Sequence, residues 1–95
     1  MNNQLRSDVV LERVSGVYIL IALRSAWGVC PLALQIAPLS ARFWQELQVG
    51  TDRESIIDRV SAERSLDHQR VERFFDRFIA DAKKYNYLIQ GDSDQ

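Results

Sequence analysis

The chain has almost none of the residues from which disulfides, metal sites and nucleophilic active sites are usually built. It contains one cysteine, Cys30, and one histidine, His68, among its 95 residues. A single cysteine cannot form a disulfide within the chain, and these two residues cannot supply the four ligands of an ordinary Cys/His zinc site. We therefore expect no disulfide, no metal and no cofactor, and the lone cysteine fits a reducing, cytoplasmic compartment.

The few residues that could carry catalysis are not arranged for it. The pattern places Cys30 on a strand and His68 in the solvent-facing first turn of a helix, which indicates an inert thiol and a solvated imidazole instead of a nucleophilic pair. The 4 glycines are isolated, and none belongs to a phosphate-binding loop. We predict that the chain is not an enzyme.

Neither sign of charge dominates, and long apolar runs are absent from the sequence. The 12 basic and 13 acidic residues give a net charge of -1, so no bulk attraction to nucleic acid or to anionic lipid is expected. The longest apolar run, VYILIAL at residues 17–23, is far shorter than the ~20 residues that a membrane-spanning helix needs. We expect no membrane partner, and the charge balance disfavours a nucleic-acid partner.

Hydrophobic patterning predicts three strands in the first part of the chain. Residues rich in β-branched and aromatic side chains fill the segments 9–14 and 17–23, and Ser15–Gly16 between them is typical of a hairpin turn. A third extended segment covers residues 29–36, where Pro31 lacks an amide donor and fits a strand start or an edge. We predict an antiparallel sheet whose third strand lies at the edge.

Capping patterns predict two helices after the strands. Ser40 is suited to cap a helix over residues 41–48, which Gly50 ends. Thr51 and Glu54 then have the spacing of a capping box at the start of a second helix.

The third predicted helix is the longest. Asp67 fits its N-cap, the helix should end near Tyr85, and Asn86 suits the left-handed position that follows. Apolar residues recur at helical spacing at Val71, Phe75, Phe78, Ile79 and Ala82. The second and third helices form a helix-turn-helix pair, so we predict an α+β fold that is winged helix-turn-helix-like, a three-stranded antiparallel sheet followed by three helices.

The predicted domain covers residues 9–89. The flanking residues, 1–8 and 90–95, are polar and offer little apolar surface to offset the entropy lost on ordering. We predict that both are flexible tails.

The segments LQIAPLSARFWQELQVGTDRESIIDRV and FFDRFIADAKKYNYLI resemble the PqqD-like family. Members of this family are the precursor-recognition elements of pathways for ribosomally made, post-translationally modified peptides. The shared features are a strand that ends in Ile36, a short helix with Trp44 and Leu47, and Gly50 followed by a capped helix. The final helix matches in its apolar spacing and in the NYLI that closes it.

The resemblance implies a domain that binds the leader segment of a precursor peptide as an added strand, between the third strand and the third helix. It implies delivery of the peptide to a separate maturation enzyme, such as a radical SAM enzyme, a leader peptidase or a cyclase. The residues agree, because an edge strand beside an aromatic-bearing helix is what strand addition requires. The leader-binding residues implied are Leu32, Ala33, Leu34, Gln35, Ile36, Arg70, Phe74, Arg77, Phe78, Asp81 and Lys84.

Each group of these residues has its own expected role. The strand residues would pair with the leader backbone, Phe74 and Phe78 would form a wall of the apolar pocket, and the basic residues of the third helix would attract leader carboxylates. The alternative for the basic residues is a solvated helix face whose charges pair with nearby acidic residues. Phe74 distinguishes the two, because it lies either in a surface groove or in the core.

Two other functions remain as alternatives. In a DNA-binding winged helix, Gln69, Arg70 and Arg73 near the start of the third helix would contact bases, although the net charge of -1 opposes this. A structural subunit would instead form a homodimer through its edge strand.

Overall fold

The computed structural model describes residues 4–89, and this part of the chain forms five strands and three α-helices. In chain order they are β1 (Gln4–Leu5), β2 (Val9–Val14), β3 (Val17–Ala22), β4 (Ala33–Ile36), α1 (Pro38–Gln48), α2 (Arg53–Arg64), α3 (His68–Lys84) and β5 (Leu88–Ile89). A short 3-10 helix, Arg24–Ala26, lies between β3 and β4. None of the helices within these residues is both long enough and apolar enough to cross a membrane.

Strands β2, β3 and β4 form one antiparallel sheet in that order, which confirms the predicted fold class. Val14 pairs with Val17 across the Ser15–Gly16 turn. Both turn residues have positive φ, 51° and 83°, as the tightest hairpin turns require. The hairpin was therefore predictable from two residues.

The third strand is shorter than predicted, because β4 begins at Ala33 and not at residue 29. The amides of Val29 and Cys30 both donate to the carbonyl of Ala26, at 3.2 and 3.0 Å, so they continue the turn after the 3-10 helix. The extended pairing resumes only where the amide of Ala22 donates to the carbonyl of Leu32 at 3.0 Å.

The predicted N-terminal tail is wrong over residues 4–8. Leu5 pairs with Leu88 in a small antiparallel sheet of β1 and β5, and both side chains pack against the core. Arg6 forms an ion pair with Asp8, Nε to Oδ1 at 2.9 Å. Leu5 buries apolar surface by pairing with Leu88, and the polar composition of residues 1–8 gave no sign of this contact. Residues 1–3 and 90–95, also predicted to be tails, lie outside the described residues.

Helix α1 starts three residues earlier than predicted. Ala37 is its N-cap, Pro38 takes the first helical position, and the amide of Ala41 donates to the carbonyl of Ala37 at 3.0 Å. Proline is favoured at that position because its φ is already helical and its missing amide hydrogen has no intrahelical acceptor. Ser40 thus lies inside the first turn, and the predicted Ser40 cap is wrong.

The predicted capping box at the start of α2 is also wrong by one residue. Asp52 is the N-cap, and its side chain accepts a hydrogen bond from the amide of Ser55 at 3.2 Å. Thr51 instead donates its hydroxyl to Glu46 at 2.7 Å.

The predicted bounds of α3 are confirmed at both ends, and the Asp67 side chain makes no capping hydrogen bond. Asp67 is its N-cap residue, Tyr85 its C-cap, and Asn86 has a φ of 65° in the left-handed region.

The core lies between the inner face of the sheet and the three helices. Phe43 of α1 meets Phe75 of α3 edge-on, with ring centroids 5.2 Å apart, and also contacts Phe78 at 5.7 Å. Trp44 packs edge-on against Tyr87 at 5.5 Å. These aromatic pairs connect α1 to α3 and to the chain that follows it, and so fix the position of α3 relative to α1.

One buried charge fixes the corner between α1 and α2. Glu46 is buried and lies 2.6 Å from a guanidinium nitrogen of Arg42 and 3.2 Å from one of Arg59. The Thr51 hydrogen bond, followed by that of Arg42, holds the pKa of Glu46 below its usual range.

Candidate functional site

Strand β4 is an edge strand within the described residues, paired with β3 on one side. Hydrogen-bonded pairs alternate along an antiparallel ladder. Since Ala22 donates to Leu32, the alternation directs the backbone groups of Leu32, Leu34 and Ile36 toward β3.

The other two residues of β4 point their backbone groups the opposite way. By the same alternation, the amide and carbonyl of Ala33 and of Gln35 face outward from the sheet. They have the spacing at which a further strand would pair. The side chains of both residues are exposed, so none of their own bulk covers the edge.

A groove lies between this edge and α3, with a volume of about 260 Å³. We call it the β4–α3 groove, and six of the residues that line it are Leu34, Gln35, Ile36, Phe78, Asp81 and Ala82. Aliphatic and aromatic side chains form most of it. Asp81 places a carboxylate at its border, on the exposed side of the helix. The arrangement suits an apolar side chain carried by an extended backbone.

The structure brings five of the predicted site residues into this groove. They are Leu34, Gln35, Ile36, Phe78 and Asp81. Leu32 and Ala33 lie just before these on the same chain segment and are exposed. The other four predicted residues lie on the exposed side of α3 and are not among the described residues that line the groove: Arg70, Phe74, Arg77 and Lys84.

Phe74 is 40% exposed and lies one helical turn before Phe78. The buried cluster of the described residues contains its neighbour Phe75 and not Phe74. Phe74 is therefore a surface aromatic that continues the direction of the groove along α3.

The acidic residues of α3 pair mainly outside their own helix. Glu72 and Asp76 both approach Nη2 of Arg53 on α2, at 3.2 and 2.9 Å. The ion pairs of these two acids thus connect α2 and α3. Arg70 and Arg77, at seven-residue spacing, lie on one exposed side of α3.

Sequence reasoning missed two tyrosines of the groove, Tyr85 and Tyr87. Tyr85 follows Phe78 by seven residues, so the helical period alone could have identified it. Tyr87 lies beyond the helix, where no periodic signal reaches. It is only 3% exposed, and its hydroxyl finds no hydrogen-bond partner within residues 4–89.

Burial raises the pKa of Tyr87 from its usual 10.0 to about 12, because the phenolate would lose its hydration. The stabilisation that this neutral side chain gives is complete below the unfolded-state pKa and is lost as pH rises through the folded-state value. We expect the free energy of unfolding to fall between about pH 10 and 12, by roughly 2–3 kcal/mol for this residue. Urea denaturation at several pH values would measure it, with Tyr87→Phe as the control that lacks this loss. An identical alkaline decline in both proteins would contradict the assignment.

His68 is the first residue of α3, and Cys30 lies near the other end of that helix, where it contacts Asn86. The Cys30 thiol is buried, donates to the carbonyl of Asn86 at 3.3 Å, and has its pKa raised by that burial. His68 approaches Asp58, Nε2 to Oδ1 at 3.0 Å, at the helix start. The 17 residues of α3 separate them by about 25 Å, too far for a nucleophilic pair. Within the described residues, no group of three or more His, Cys, Asp or Glu side chains is placed to hold a metal.

No protein-family model matches this chain, and no curated protein matches it. Among solved structures, the chain is similar to "TbiB1 in Complex with the TbiA(beta) Leader Peptide", with a TM-score of 0.73 and 24% sequence identity. The match covers 96% of this chain and 99% of that chain. The two proteins therefore share a fold over nearly their whole lengths, the three-stranded antiparallel sheet followed by three helices.

Proposed function

We propose that this protein binds the leader segment of a ribosomally made precursor peptide as an added strand on β4. The observation that carries the proposal is the outward-facing backbone of Ala33 and Gln35 beside an apolar groove. The fold shared with TbiB1, which was solved in complex with a leader peptide, supports the same function. So does the resemblance to the PqqD-like family.

The two parts of the site have different roles in this proposal. Backbone hydrogen bonds to Ala33 and Gln35 provide affinity that depends little on the peptide's sequence. Side chains of an added strand alternate between the two faces of the sheet. Every second leader side chain would therefore face the β4–α3 groove, where Leu34, Ile36 and Phe78 select apolar ones.

The exposed side of α3 adds charge and a further apolar contact. Arg70, Arg77 and Lys84 would attract leader carboxylates, and Phe74 would extend the apolar surface by one helical turn. Exposed charges act mainly on the rate of encounter and are screened by salt. We therefore assign specificity to the groove and steering to the basic residues.

The protein performs no chemistry in this proposal and needs no cofactor. It raises the local concentration of the peptide at a separate maturation enzyme, such as a radical SAM enzyme, a leader peptidase or a cyclase. We assign this function to the predicted domain, residues 9–89, together with the β1 strand that packs against it.

A fluorescence-anisotropy titration tests the proposal. The probes are labelled peptides tiled across short reading frames beside the gene, with random duplex DNA in parallel. We expect saturable binding, micromolar or tighter, of one leader segment and none of DNA. Salt-sensitive DNA binding without peptide binding would overturn the proposal in favour of a winged-helix regulator. A protein that binds neither and dimerises through β4 would overturn it in favour of a structural subunit.

A further inference from the structure

A second concavity lies beyond the C-terminal end of β4, with a volume of about 410 Å³. We call it the hairpin pocket. The β2–β3 hairpin contributes Gly16, Val17 and Tyr18, and the corner between β4 and α1 contributes Ile36, Ala37 and Pro38. The pairing of β3 with β4 stops at Tyr18 and Ile36, so the hairpin tip projects past the end of β4. The pocket is the space that this projection leaves beside the corner.

The hairpin pocket adjoins the β4–α3 groove. Gln35, Ile36 and Ala37 line both of them. A strand rises about 3.3 Å per residue, so a peptide paired along β4 would pass from the groove to the pocket within a few residues. The end of a peptide paired along β4 would thus lie close to the pocket.

The lining of the pocket favours an apolar side chain. Val17, Ile36 and Pro38 are aliphatic, and a Cβ built on Gly16 would meet nothing within 4 Å. The guanidinium of Arg13 lies 5.4 Å from the centroid of the Tyr18 ring. This cation–π contact holds the ring in place before any peptide binds.

The lining of the pocket comes from both faces of the sheet, because Val17 and Gln35 point to one face and Tyr18 and Ile36 to the other. Tyr18 lies directly opposite Ile36 in the register, and residues directly opposite each other share a face. Leu34, two residues before Ile36, shares that face and lines the groove. Two side chains of one strand reach the same face only at even separations.

We propose that the Tyr18–Ile36 side of the hairpin pocket is a second subsite that binds one large aliphatic or aromatic side chain of the same leader. The leader is then recognised by two apolar residues, two or four positions apart in its sequence. The inference rests on the proposed function and adds to it the chemical class and spacing of the substrate.

An mRNA-display selection from random-sequence peptides tests the subsite without knowledge of the natural leader. We expect the enriched peptides to share two large apolar positions at a separation of two or four. The same selection with the Tyr18→Ala variant as the target should retain one apolar position and lose the other. Peptides selected with the original protein should bind this variant about tenfold more weakly. Val14→Ala is the matched control. Val14 lies on the same hairpin, is 51% exposed, and is not among the described residues that line the pocket.

The outcomes separate the two proposals. Enrichment of a single apolar position that Tyr18→Ala does not affect would overturn the second subsite and leave strand addition intact. An odd separation would overturn the shared face, and the subsite with it. Failure to enrich any peptide, with a protein shown to be folded by circular dichroism, would overturn the proposed function itself.

Discussion

Replacing Gln35 with proline should weaken leader binding at least tenfold while the protein stays folded. Proline removes the amide hydrogen that β4 directs outward and places its ring where the added strand would approach. Loss of one hydrogen bond accounts for roughly 1 kcal/mol, and the blocked approach adds to it. The pairing with β3 is spared, because the β3-facing groups of β4 belong to Leu34 and Ile36. Fluorescence anisotropy with the peptide found in the titration would measure the change.

Gln35→Ala is the matched control, because it shortens the same side chain and keeps the amide. We expect its affinity to stay within a few-fold of the original. If Gln35→Ala and Gln35→Pro bound the peptide equally well, the leader would not pair with β4, and the groove alone would have to explain recognition. Thermal unfolding of both variants would show whether the sheet is intact.

The sheet and the long helix were predictable because their signals are local. The Ser15–Gly16 turn, the β-branched and aromatic residues of two strands, and the apolar period of α3 each follow from neighbouring residues. The caps of α1 and α2 were not, because α1 starts at Pro38 behind an apolar cap residue, and Thr51 and Asp52 compete at the start of α2. Thr51 was the better cap by pattern, but its hydroxyl is held by Glu46, a partner that only the folded chain brings near.

The same distinction applies to the groove. Leu34, Ile36 and Phe78 follow from an edge strand facing a helix, both of which the sequence indicates. The place of Tyr87 in the groove depends on how the chain turns back after Asn86. The hairpin pocket depends on how far the β2–β3 hairpin extends beyond the end of β4. Such features arise from register and chain reversal, which residue patterns specify weakly.

The ion pairs of Arg53 show why α3 can serve two purposes. One side of the helix holds Glu72 and Asp76, which connect it to α2, and the groove side holds Phe78 and Asp81. The ion pairs to α2 and the side chains that face the groove thus lie on different sides of one helix, and Phe78 also packs against Phe43 in the core. This separation predicts that adjacent substitutions can have unlike effects.

Phe74 and Phe75 offer the sharpest comparison, because they are adjacent and chemically identical. Phe75 is 1% exposed and packs edge-on against Phe43, whereas Phe74 is 40% exposed. Phe75→Ala should lower the free energy of unfolding by about 3–5 kcal/mol, from the lost burial and the cavity it leaves. That is much of the roughly 5–15 kcal/mol that stabilises a typical domain, so the variant should melt at a much lower temperature or fail to fold.

Phe74→Ala should change the free energy of unfolding by less than about 1 kcal/mol, because most substitutions at exposed sites do. If Phe74 extends the groove, it should still weaken leader binding several-fold, a loss that stability cannot explain. Urea denaturation and anisotropy measured on the same samples would test both variants. Strong destabilisation by Phe74→Ala would place its ring in the core, and unchanged peptide affinity would limit the recognition surface of α3 to the residues that line the groove.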